Sequence, residues 1–91
     1  MSNASWSAIV LNPADDVAVA LKPLGPGPVS IRMATGNITI DVIERIELGH
    51  KLALHGIEAG GDVRKYGEII GCATAFIPKG GHVHEIGRAH V

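Results

Sequence analysis

Two stretches near the middle of the chain alternate apolar and polar residues with a period of two. Val29-Ser30-Ile31-Arg32-Met33 and Ile38-Thr39-Ile40-Asp41-Val42-Ile43 flank Thr35-Gly36-Asn37, and this pattern predicts a half-buried hairpin over 29–43. Upstream, Trp6–Leu11 and Val17–Leu21 read as strands separated by the turn-rich Asn12-Pro13-Ala14-Asp15-Asp16. Lys22–Pro28 holds five Gly or Pro residues in seven, which excludes regular structure there. Downstream, Lys51–Leu54, Asp62–Tyr66, Glu68–Ile70, Cys72–Ile77 and Val83–Ile86 are further short strands. Gly67, flanked by two of these segments, predicts a bulge or a close approach by another group. Val42, Ile43, Ile46 and Leu48 fit a turn or a single helical turn at 44–48, ended by Gly49. No segment sustains helical periodicity, so the fold class is all-β.

One loop pattern repeats. Ile57-Glu58-Ala59-Gly60-Gly61-Asp62-Val63 and Ile77-Pro78-Lys79-Gly80-Gly81-His82-Val83 share I-x-x-G-G-x-V, with a weaker echo at Leu24–Val29. An apolar anchor enters the core, glycine supplies the positive φ of a tight turn, and valine restarts a strand. This arrangement suits a small folded-over β-domain better than an open sheet.

Composition narrows the picture. The chain is 46% hydrophobic but 3% aromatic, and its 11 isoleucines and 8 valines must build an aliphatic, strand-favouring core. Its 91 residues fit one domain spanning 1–91, residues 1–4 adding no fold signal. A domain of that size buries roughly 60–65% of its unfolded surface, so any catalytic part is expected to be shared with a partner chain. A net charge of −1, with no basic run longer than Arg64-Lys65, argues against nucleic acid as a partner. No apolar run approaches a membrane span and no signal-peptide pattern is visible. The single cysteine, Cys72, excludes an internal disulfide and a paired-cysteine site; the expected compartment is the cytoplasm. Exposed strand edges leave a homodimer open.

Three groups of residues carry chemistry. His82 and His84, two apart in a strand, project on one face and can share a divalent metal or grip an anion; two surface histidines are the plainer alternative. Gly49-His50-Lys51 places two cationic side chains at a strand mouth, where they can meet a carboxylate or simply face solvent. Lys65-Tyr66-Gly67-Glu68 gathers an amine, a phenol and a carboxylate that can orient a hydroxylated substrate or move a proton. The same four residues also fit a rim tyrosine beside a solvated charge pair.

Together these segments resemble one family: Gly49-His50-Lys51-Leu52-Ala53-Leu54, the Ile57–Val63 turn, Lys65-Tyr66-Gly67-Glu68-Ile69-Ile70-Gly71, Ala73-Thr74-Ala75 and Gly81-His82-Val83-His84, with Asp15–Ala20 also fitting. It is the SAF (antifreeze-like) module at the N-terminus of altronate and galactarate dehydratases, found also as the small subunit of sulfolactate sulfo-lyase. The resemblance implies a β-clip fold and an accessory, small-subunit role in a lyase that removes the proton α to a carboxylate and expels a β leaving group. It implies iron or magnesium as cofactor, a large catalytic subunit as partner and a sugar acid as substrate. Lys65, Tyr66 and Glu68 would then be catalytic, His50, Lys51 and His84 would bind substrate, and His82 and His84 would bind metal. The family's ending adds a third histidine and an asparagine; Ile86 and Gly87 stand there instead, leaving two histidines. A non-catalytic carboxylate-binding or assembly module is the other reading.

Overall fold

In the computed structural model, which describes residues 6–83 and 86–87, the described residues are all-β, built from short strands with no helix. Its strands are β1 (Ala8–Ile9), β2 (Val17–Ala20), β3 (Gly27–Met33), β4 (Gly36–Val42), β5 (Lys51–Ala53), β6 (Asp62–Lys65), β7 (Glu68–Ala73), β8 (His82–Val83) and β9 (Ile86–Gly87). One sheet has the order β4-β3-β1-β2-β5-β8, and a second has the order β6-β7-β9. The predicted 29–43 hairpin is present as β3 and β4, paired in register from Gly27↔Val42 to Met33↔Gly36, and β3 takes in Gly27 and Pro28 from the stretch expected to be irregular.

The core is split by alternation. Ala18 and Ala20 of β2 and Leu52 of β5 join Ile31, Ile40 and Ile46 in one apolar cluster. Val17 and Ala53, on the opposite faces of the same two strands, join Ile57, Val63, Ile77 and Val83 in the other. The central strands β2 and β5 are therefore buried on both sides, which explains their nearly continuous apolar sequence.

Four short arches join these strands, and each spans four steps from a buried strand end to a buried anchor. Ala20 leads to Leu24, Val42 to Ile46, Ala53 to Ile57, and Ala73 to Ile77, all eight buried. The anchors pair across as two antiparallel bridges, Leu24↔Ile46 and Ile57↔Ile77. Two sequence expectations are corrected here. Ile46 is a bridge anchor rather than part of a helical turn, and the strand expected at 72–77 ends at Ala73 because Thr74–Phe76 form an arch. The strand expected at 83–86 is two separate pairings: β8 lies against β5, and β9 against β7.

The I-x-x-G-G-x-V repeat has a third copy, Ile46-Glu47-Leu48-Gly49-His50-Lys51-Leu52. Gly49, Gly60 and Gly80 share φ of +82°, and the residue after each donates its N–H to the carbonyl three positions back, at Glu47, Glu58 and Pro78. That is a type II turn, whose third position demands a positive φ. In the first copy the residue after the turn glycine is His50, where the other two copies have Gly61 and Gly81.

Candidate functional site

Tyr66 and Gly67 are the two central residues of the hairpin joining β6 to β7, both with positive φ, 59° and 78°. This is the backbone of a type I′ turn, which matches the right-handed twist of its strands. The bulge expected at Gly67 lies instead between Val63 and Arg64. The close approach is present: the Asn12 amide nitrogen would sit 2.8 Å from any Cβ added at Gly67. Lys65 and Glu68 face each other across the turn as register partners, and the Lys65 ammonium lies 5.1 Å from the Tyr66 ring centroid. The Tyr66 ring is not a rim-tethered core residue, being 64% exposed.

Lys51 of β5 shares this region. Partial burial lowers its pKa, and the like charge of Lys65 lowers it further. Among the described residues neither lysine has a carboxylate at ion-pair distance. The two ammonium groups thus lie within electrostatic reach of each other, Lys51 partly buried.

His50 extends from the first type II turn and His82 from β8, and the Leu52↔His82 pairing of β5 and β8 brings them side by side. His50 Nδ1 lies 3.0 Å from His82 Nε2, with the rings stacked at 22°. One nitrogen donates and the other accepts, so the bonded pair carries at most one imidazolium. The backbone N–H of His82 donates to the Glu44 carboxylate. Glu47 is held below the usual carboxylate range, chiefly by its hydrogen bond with Arg45 and then by that guanidinium's charge. An open pocket of about 280 Å³ lies alongside, walled by Glu44, Phe76, Ile77, Pro78 and His82.

Sequence spacing paired His82 with His84, and the structure pairs His82 with His50. His84 lies outside the described residues. Among the described residues no three His, Cys, Asp or Glu side chains form a metal-holding group. Cys72 is a free, partly buried thiol on β7.

Three residues not singled out in the sequence organise the site. The Asp15 carboxylate, 7% exposed, accepts the backbone N–H groups of Tyr66 (3.0 Å) and Gly67 (2.7 Å). Asp16 accepts from the Arg64 N–H with one oxygen and bonds His55 Nε2 with the other. His55 is raised above its ordinary value by its hydrogen bond to the Gly56 carbonyl, partly opposed by burial, with a further upward contribution from Asp16. A folded-state value above the unfolded one stabilises the fold fully below about pH 6.5, and that contribution is lost as pH rises through the raised value. Because His55 is well exposed, salt screens much of it. The expected result is a small fall in thermal midpoint from mildly acid to mildly alkaline pH, reduced in high salt and absent in His55→Gln.

Comparison with known proteins follows the same outline. Residues 6–87 match the family described as the altronate/galactarate dehydratase SAF domain. The chain is 41% identical over 76 residues to altronate dehydratase of Escherichia coli K12, covering 84% of this chain and 15% of that protein. Altronate dehydratase of Bacillus subtilis 168 is 35% identical over 78 residues, covering 86% and 15%. Galactarate dehydratase (L-threo-forming) of E. coli K12 is 46% identical over 46 residues, covering 50% of this chain and 9% of that protein. The chain thus spans about a seventh of the altronate dehydratases it matches.

Proposed function

Since the chain belongs to the altronate/galactarate dehydratase SAF-domain family, we propose that it is an accessory subunit of a sugar-acid lyase and seats the substrate carboxylate against a large catalytic partner. The observation that carries this reading is the β6–β7 turn, where Lys65 faces Glu68 as its register partner and the exposed Tyr66 lies between them with the Lys65 ammonium 5.1 Å from its ring centroid. A sugar acid offers a carboxylate and a row of hydroxyl groups. Lys51 and His50 hold the carboxylate; the ammonium of Lys65, the phenol of Tyr66 and the carboxylate of Glu68 lie around one turn and handle protons at the hydroxylated end. Electrostatic contacts of this kind contribute most where charge builds during removal of the α proton.

Among the described residues the histidine edge offers two imidazoles, short of the three or four ligands a divalent metal takes. The His50 and His82 ring nitrogens face each other in a hydrogen bond at 3.0 Å, so an ion shared by both would have to displace the bridging proton. Imidazole donors favour iron over magnesium, which prefers oxygen. His82 would hold it, with further ligands from His84 or the large subunit. When bound, the metal would supply Lewis-acid stabilisation of developing negative charge. Exposed Ile43, Leu48 and Phe76 add apolar surface on which a large subunit can rest.

In the assembled lyase, Lys51→Met and Lys65→Met are each expected to raise KM for the sugar acid about tenfold or more, the loss of a charged hydrogen bond. Lys65→Met also lowers kcat. Unchanged kinetics in both variants would remove the lysine pair from the substrate site.

A further inference from the structure

The Tyr66 backbone calls for an explanation. Among the described residues it is the one non-glycine with a positive φ. Type I′ turns ordinarily place Asn, Asp or Gly there, because a bulky side chain in the left-handed region is strained. A turn needed only to reverse the chain would use Asn-Gly and require no outside support. Here the turn is both unfavourable in sequence and braced from outside.

The brace is Asp15. Its carboxylate is buried, and each oxygen takes one turn amide, from Tyr66 and from Gly67. Its own placement is fixed by a preceding turn: the Asn12 side-chain oxygen accepts the Ala14 N–H, and the Asn12 carbonyl accepts the Asp15 N–H. The Asn12 amide then packs on Gly67, so any side chain at that position would displace it. Asp16 fixes the same hairpin at Arg64, with its own N–H donating to the Arg64 carbonyl and its carboxylate accepting the Arg64 N–H. The hairpin is therefore clamped through its main chain, which leaves Lys65 and Tyr66 side chains available to a ligand.

We propose that Asp15 is a positioning residue of the lysine–tyrosine site. By accepting both turn amides it holds Tyr66 in the left-handed conformation that presents the phenol outward beside Lys65. Backbone strain held in place by surrounding structure is a recurring device for fixing a reacting or binding group. The inference deepens the sugar-acid reading and rests on it for the ligand, while the geometric part stands apart from the ligand's identity.

The test uses the complete lyase carrying this domain, galactarate and altronate as probes, and two readouts: hydrogen exchange at the Tyr66 and Gly67 amides, and sugar-acid affinity. Asp15→Asn keeps the shape but replaces one acceptor oxygen by a donor. It is expected to speed exchange at the two amides about tenfold or more, and to weaken binding about as much as Tyr66→Phe does. Because Asp15 acts through Tyr66, Asp15→Asn combined with Tyr66→Phe should bind no worse than either alone. Tyr66→Gly, which is relaxed at positive φ, should make the added Asp15→Asn change far milder in the exchange readout. Should Asp15→Asn fold poorly, this Tyr66→Gly background supplies the comparison. Turn amides as protected in Asp15→Asn as in the native protein, or binding losses that simply add, would overturn the proposal. If the native protein binds neither sugar acid, the functional reading fails, and the exchange experiment still decides the role of Asp15.

Discussion

Gly80→Ala is expected to destabilise the fold by roughly 3–5 kcal/mol, whereas Gly49→Ala and Gly60→Ala cost roughly 1–2 kcal/mol each. The three glycines share φ of +82°, so the conformational strain of an L side chain is common to all. They differ in what a Cβ would meet. At Gly49 and Gly60 there is open space, while at Gly80 the new carbon would lie 2.0 Å from the Asp41 carbonyl oxygen. That contact is backbone on backbone, so no side chain can rotate away. Relief requires the turn to leave the end of β4, where the Ile43 N–H bonds the Gly80 carbonyl, or to leave β5, where the Gly80 N–H bonds the Ala53 carbonyl. Thermal melts of the three alanine variants check this. A domain of this size shifts by about 4–8 °C per kcal/mol, so Gly80→Ala should separate clearly from the other two. Equal midpoints for all three would show that the turn is not docked on β4.

Ile46→Ala is the second large effect, expected at about 2–5 kcal/mol, the range for truncating a fully buried aliphatic side chain. Ile46 lies outside every strand, yet it is fully buried in the β2–β5 cluster and bridges to Leu24 through both of its backbone polar groups. Leu48, two residues on, is 62% exposed, and Leu48→Ala should change stability little. Urea midpoints with unchanged slope would attribute the difference to stability itself. A small effect at Ile46 would mean that the arches merely connect strands and do not anchor the core.

These two positions also mark where the sequence was legible and where it was not. Period-two alternation in 29–43 placed the β3–β4 hairpin, because one face is buried and the pattern has no competing reading. The arches were hidden, since an apolar residue four positions beyond a strand end looks like a helical step near Val42 and like a continued strand near Ala73. The third copy of the glycine turn was masked by His50 standing where the others have glycine. That departure within the repeat is itself the signal that would have singled His50 out together with the turn. Lys65, Tyr66 and Glu68 were readable as a motif, and they do meet at one turn. The electrostatic influence of Lys65 on Lys51, and the bracing by Asp15 and Asp16, were not readable. Both depend on long-range pairing and on backbone amides, which leave no periodic trace. Pairing His82 with His84 used strand alternation, and His84 lies outside the described residues; the hydrogen bond to His50, which reaches His82 from the neighbouring strand's turn, had no such periodic signal.

Under the proposed function, the hairpin and its bracing would keep the groups on the turn fixed before substrate arrives.

The most direct measurement is a titration of the labelled protein with galactarate and, in parallel, with the uncharged polyol galactitol, followed by the amide signals of Lys51, Lys65 and Tyr66. The account predicts saturable shifts centred on these three residues with the acid alone, weakened by salt and abolished in the Lys51→Met, Lys65→Met double variant. Equal shifts with the uncharged polyol, or acid-induced shifts that leave these residues untouched, would contradict it.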